Sequence, residues 1–134
     1  MRNTLGPLAA SGADARQIAD TAAATWRAIA VALSPVIGVR GIAALFKRSL
    51  HLARADYPWL AAAYEGAVEP GDFTSLRAAL SHQTGEHAAA AHDAMVQTFN
   101  DLLANLIGGS LTQRLLQSVW DHPSSGHAVQ DNSP

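Results

Sequence analysis

The chain contains no cysteine, which excludes disulfide frameworks, thiolate metal sites and cysteine nucleophiles. Aromatic residues are scarce at 6%, so each large ring must anchor packing between alanine-rich segments. Charged residues make up only 15%, which leaves apolar surface over and favours self-association. No segment alternates with period two, so no sheet is expected. The first ten residues are too broken to form a signal-peptide apolar core. The most apolar stretch, 28–39, is shorter than the ~20 residues of a membrane span, with Arg27 and Pro35 marking its limits. A cytoplasmic location with no membrane partner is the expectation. No glycine loop suited to phosphate, no His-x-x-x-His and no nucleophile–base–orienter set can be placed from spacing.

What is present is an apolar chain sized for one domain: 134 residues, 49% hydrophobic. A chain of this size buries roughly two-thirds of its unfolded surface, so a core without staples is feasible. The net charge of -2 hides an asymmetry, with residues 1–55 at +5 and residues 56–134 at -7. No acid occurs between Asp20 and Asp56. Attraction between the two halves inside one bundle is the simpler explanation; an acidic partner facing the basic helix is the sharper one.

Residues 34–56 organise the rest. Ser34 as N-cap and Pro35 at the first helical position predict a helix start, and Tyr57-Pro58 predicts its end. Val39, Ile42, Leu45, Phe46, Leu52 and Ala53 form its apolar side; Arg40, Lys47, Arg48, His51 and Arg54 form the other. Before it, Ser11 and Asp14 read as a capping-box variant opening a helix over about 12–33. The seam there is Ala15, Ala19, Ala22, Trp26, Ile29 and Leu33. Short helices are predicted over 58–64 and about 72–82, with a Pro-Gly loop between them. Thr84-Gly85 restarts the chain, and a helix over 85–107 carries the seam Ala88, His92, Met95, Phe99, Leu102 and Leu106, widened by Val96 and Leu103. Gly108-Gly109 stops it, and Ser110 with Gln113 reads as a capping box for a last helix to about Trp120.

Three long helices of about 33 Å would form an up-and-down set with the short ones on the fourth side. The expected fold is therefore all-α, an up-and-down four-helix-type bundle of five to six helices. Residues 12–120 would form the domain, 1–11 a flexible arm and 121–134 a disordered tail. Ile37-Gly38 and Ile107-Gly108 precede Leu45-Phe46 and Leu115-Leu116 by the same interval. That is a faint echo of two helical hairpins, for which chance is the better explanation.

His51 is the first chemical candidate. The string His51-Leu-Ala-Arg54-Ala55 resembles the His-x-x-Lys-Gly of histidine phosphotransfer domains. Those are four-helix bundles with an exposed phosphoryl-accepting histidine and a nearby cation. The resemblance implies His51 as phosphoacceptor and Arg54 as phosphoryl-charge partner. It covers about five residues, and Ala55 stands where the motif has glycine. His92 interrupts an apolar seam; a buried neutral imidazole bonded to a carbonyl or to Tyr64 is the plain reading, a small-ligand or haem ligand the sharp one. No metal site and no cofactor are expected. The face of Arg40, Lys47, Arg48 and Arg54 is the candidate for an acidic protein partner. A sequence pI near 6.3 and the lack of basic–aromatic interleaving argue against nucleic acid. The last helix is apolar on two sides, which makes Leu116 and Trp120 interface candidates for a homodimer.

The strings Ala-Leu-Phe-Lys-Arg-Ser-Leu-His-Leu, Tyr-Pro-Trp-Leu and Leu-Ile-Gly-Gly-Ser-Leu-Thr-Gln-Arg-Leu-Leu are similar to those of a group of uncharacterised small helical bacterial proteins. The resemblance spans about residues 20–120 and implies one domain of bacterial origin. With nothing catalytic assembled, the expected function is a non-enzymatic helical interaction module acting in bacterial regulation.

Overall fold

The computed structural model describes residues 14–66 and 73–121, and every element among them is helical. These are α1 (Ala15–Ala53), a 3-10 turn (Pro58–Leu60), α2 (Ala61–Gly66), α3 (Thr74–Ser81), α4 (Gly85–Ile107) and α5 (Gly109–Asp121). The expected arm at 1–11, most of the Pro-Gly loop and nearly all of the tail lie outside the described residues.

The first helix starts later than Ser11 predicts. Asp14 is the N-cap: its carboxylate accepts from the Gln17 N–H at 2.9 Å, and the Gln17 side-chain oxygen accepts from the Asp14 N–H at 3.0 Å. This reciprocal pair satisfies two donors that a helix start leaves open. Asp14 thus acts as the cap itself, not as the first-turn partner of Ser11.

The break between the first two expected helices also moves. Ser34 and Pro35 lie inside α1, and the chain leaves helical geometry only at Gly38, with φ 77° and ψ 161°. Pro35 removes one hydrogen bond and crowds the preceding turn, but it cannot supply a positive φ. Gly38 can, so the turn falls there. The two arms of α1, 15–37 and 39–53, form a hairpin. Trp26 and Phe46 prove it: their ring centroids are 5.0 Å apart. Twenty residues of straight helix would hold them about 30 Å apart. The second arm ends at Ala53, short of the expected Asp56. The long helices are therefore two, 15–37 and α4, rather than three.

The same hairpin occurs again 70 residues later. Thr84 caps α4 by accepting from the His87 N–H at 3.1 Å, as Asp14 does from Gln17. Arm 15–37 and α4 have equal length, and each ends at a glycine of positive φ, Gly108 having φ 94° and ψ 148°. The buried registers coincide: Ile18 with Ala88, Ala22 with His92, Trp26 with Val96, Ile29 with Phe99, Leu33 with Leu103, and past the glycines Ile42 with Thr112, Phe46 with Leu116, Ser49 with Val119. The echo between Ile37-Gly38 and Ile107-Gly108 is thus structural, not coincidental. Because α5 starts at Gly109, Ser110 sits inside its first turn and is not the cap; the Gly108 carbonyl accepts from the Thr112 N–H instead.

Both hairpins and α3 close over one core. Trp26 lies at its centre, edge-on to Phe46 and Phe99 and 6.3 Å from Phe73. Phe46 and Phe73 meet at 4.9 Å. Such edge-to-face pairs add about 0.5–1.5 kcal/mol each to the burial of the rings. The seam of arm 15–37 is buried throughout as expected, and α3 buries Phe73, Leu76 and Leu80. Around the hinges the expectation fails, Val39 being 57% and Leu106 61% exposed, and it fails again at the far end of arm 39–53, where Leu52 is exposed. At a turn the two arms diverge, so a residue that fits the spacing finds no opposing helix. Buried hydroxyls are satisfied locally, Thr25, Ser49 and Thr112 each donating to the carbonyl four residues earlier at 2.8–2.9 Å.

Candidate anion-binding face

Arm 39–53 turns Ile42, Phe46, Ser49, Leu50 and Ala53 inward. Helical spacing then forces Arg40, Lys47 and Arg48 outward, and all three are exposed, with His51 and Arg54 half-buried beside them. His51 stands between two shallow depressions. One is lined by Ala44, Lys47 and Arg48, the other by Leu52, Arg54, Ala55, Pro58 and Ala61. The end of α1 and the 3-10 turn at Pro58 therefore bring His51 and Arg54 to one depression, and His51, Lys47 and Arg48 to the other.

The repeat supplies an internal comparison. The positions of Arg40, Lys47 and Arg48 are filled in the second hairpin by Ser110, Gln117 and Ser118, which are likewise exposed. The second hairpin thus carries neutral polar residues at those sites on a matching backbone. An ion pair between described residues of the two halves runs against the overall asymmetry. Arg77 of the acidic half donates to Asp20 of the basic half at 2.6 Å. Exposed as it is, the pair is worth about 0–1 kcal/mol.

No protein-family model, no curated protein and no solved structure matches the chain.

His92 is fully enclosed, 6.3 Å from the Trp26 ring and edge-on to it. Neither ring nitrogen has a hydrogen-bond partner, and the same holds for Trp26 Nε1. The expected bond to a carbonyl is not made, and the side chain of Tyr64, the other expected partner, lies outside the described residues. Burial disfavours the imidazolium and lowers the pKa of His92 from 6.5 to about 4. Ligation of haem through His92 would require the aromatic cluster to open. Among the described residues no three His, Asp or Glu side chains gather into a metal site.

Leu116 is 1% exposed and packs in the core of its own chain, so it offers no surface to a second copy. The side chain of Trp120 lies outside the described residues. Spacing also misplaced Val39, and it gave no notice of Val31, which is 75% exposed on the outer side of arm 15–37. The available signal was an apolar run longer than one helix face can bury.

Proposed function

We propose that the protein is a non-catalytic helical module that receives an anionic partner on arm 39–53, its two hairpins packed as an up-and-down four-helix bundle. The supporting observation is the contrast between the hairpins: one position set is Arg40, Lys47 and Arg48 in the first and Ser110, Gln117 and Ser118 in the second, on matching backbone. Leu116 and the alanine seam of arm 15–37 are buried inside the chain, so a homodimer would use other surface. The test uses polyglutamate as a defined acidic probe. Wild type binds it at low salt and weakens as salt rises, whereas Arg40→Ser/Lys47→Gln/Arg48→Ser binds at least about tenfold more weakly. The three substitutions copy residues that the second hairpin already carries, so folding should survive. Equal binding by the folded variant overturns the reading.

A second reading has one observation behind it. His51 shares a depression with Arg54, the pairing that the phosphotransfer resemblance asks for. In that reading an imidazole nitrogen attacks phosphorus and the donor's P–O bond breaks, with Arg54 holding the phosphoryl oxygens. Acid-labile phosphate formed from acetyl phosphate by wild type and lost in His51→Gln would support it; no label on wild type excludes it for that donor.

A further inference from the structure

The hinge of the first hairpin is apolar on its outside, more so than the hinge of the second. An 18-residue window of α1 is long and apolar enough to cross a membrane by composition, yet only 22% of it is buried in the fold. Val31, Val36 and Val39 are 75%, 44% and 57% exposed around Gly38. In the second hairpin the position of Val31 is held by Asp101, that of Pro35 by Asn105 and that of Ala44 by Arg114, all three exposed. Val31 and Val39 are therefore additions to the fold, Val39 standing where the second hairpin has Gly109, whereas Val36 stands where it has Leu106, likewise exposed.

Charge says what the tip faces. Arg27 lies eleven residues before Gly38, and Lys47 and Arg48 lie nine and ten after it; at 1.5 Å per residue they sit about 15 Å back from the hinge. Arg40 is beside the hinge itself. No acid occurs from residue 21 to residue 55, so the hinge end of the hairpin is free of negative charge in sequence, the one acid of its arms, Asp20, lying 18 residues before Gly38. An aliphatic tip backed by cations matches an interface whose inside is hydrocarbon and whose surface is anionic. The pattern does not describe a span, because the Trp26–Phe46 contact folds the apolar window back on itself.

We infer that the hinge of the first hairpin docks on an anionic lipid surface, with Val31, Val36 and Val39 entering the headgroup–acyl boundary and Arg27, Arg40, Lys47 and Arg48 meeting lipid phosphates. This rests on the anion-binding reading above and names the chemistry of the partner.

The experiment is co-sedimentation of the full chain with vesicles of phosphatidylcholine alone or mixed equally with phosphatidylglycerol, alongside polyglutamate binding and light scattering. Wild type is expected to sediment with the mixed vesicles and not with the neutral ones. Val31→Asp/Val39→Ser, checked for native circular dichroism, should bind the mixed vesicles at least about tenfold more weakly while keeping polyglutamate binding. Polyglutamate binding without vesicle binding by wild type sinks the lipid proposal and leaves the anion reading standing. A dimer of wild type that Val31→Asp/Val39→Ser disperses, with no vesicle binding, assigns the tip to a second copy and also overturns it. Unchanged vesicle binding by the variant removes the apolar tip from the interaction.

Discussion

Gly38 and Gly108 adopt the same rare backbone conformation at matching points of two hairpins, φ 77° with ψ 161° and φ 94° with ψ 148°. A Cβ at either would meet nothing within 4 Å. Substitution there is thus a test of backbone strain alone, since this region of φ/ψ is open in practice only to glycine.

Gly38→Ala and Gly108→Ala should each lower stability by about 1–3 kcal/mol in urea titration, with native secondary structure retained. Alanine also favours a continuous helix by roughly 1 kcal/mol over glycine. Gly38→Ala should therefore promote an opened α1 that exchanges arms between two chains, visible as a concentration-dependent dimer by light scattering. A variant as stable as wild type would contradict the hinge assignment.

His92 should make the fold acid-sensitive. Its pKa is about 4 folded against 6.5 in the ordinary state, so between those values the unfolded chain binds the extra proton. Stability from this group is complete above its ordinary pKa and falls as pH drops toward 4, by about 3 kcal/mol in all. His92→Met keeps the volume, removes two unpartnered nitrogens and should flatten the unfolding free energy across that pH window. At neutral pH it should be neutral or stabilising by about 1 kcal/mol. Parallel pH curves for the two proteins would refute the assignment.

The two helix caps share one bond, a side-chain oxygen accepting from the N–H three residues on, and should be close in worth. Asp14→Ala and Thr84→Ala should each cost about 1 kcal/mol, measured by thermal unfolding, because each leaves an N–H of the first turn without its acceptor. Asp14→Ala should cost somewhat more, since it also removes a negative charge from the helix N-terminus, where the macrodipole favours one.

Val31→Asp alone should leave stability within about 0.5 kcal/mol of wild type, since exposed substitutions away from caps and cores change little. Its side chain is already 75% in solvent, and its counterpart in the second hairpin is Asp101. A large loss in chemical denaturation would mean that Val31 supports the fold, which would remove the central comparison behind the lipid proposal.

The helices were legible because their seams repeat at three and four residues, and Ala15, Ala19, Ala22, Trp26, Ile29 and Leu33 are all buried accordingly. The hinge was legible only as an alternative: Gly38 and Gly41 admit a short first turn that restarts near Val39, but Ser34-Pro35 is the stronger helix-start signal, while the turn depends on a positive φ that only Gly38 supplies cheaply. Val39 and Leu106 satisfy the seam spacing yet sit at turns, where periodicity carries no information about the opposing helix. Of the site, the outward face of Arg40, Lys47 and Arg48 followed directly from spacing. The pairing of His51 with Arg54 followed from their three-residue spacing as well, but their joining with Pro58 and Ala61 did not, because it depends on how the chain bends after Ala53. His92 could be marked as odd in its seam, but its lack of partners is a property of packing that no local pattern encodes.

The contact between Trp26 and Phe46 spans a short loop of chain, so it can form while the protein is still being made. Phe73 and Phe99, which cover the same rings, emerge from the ribosome only later. A nascent chain paused between those points would display a half-built aromatic centre beside a valine-rich turn. That is the moment at which this molecule is most adhesive, and the one at which a chaperone would be expected to engage it.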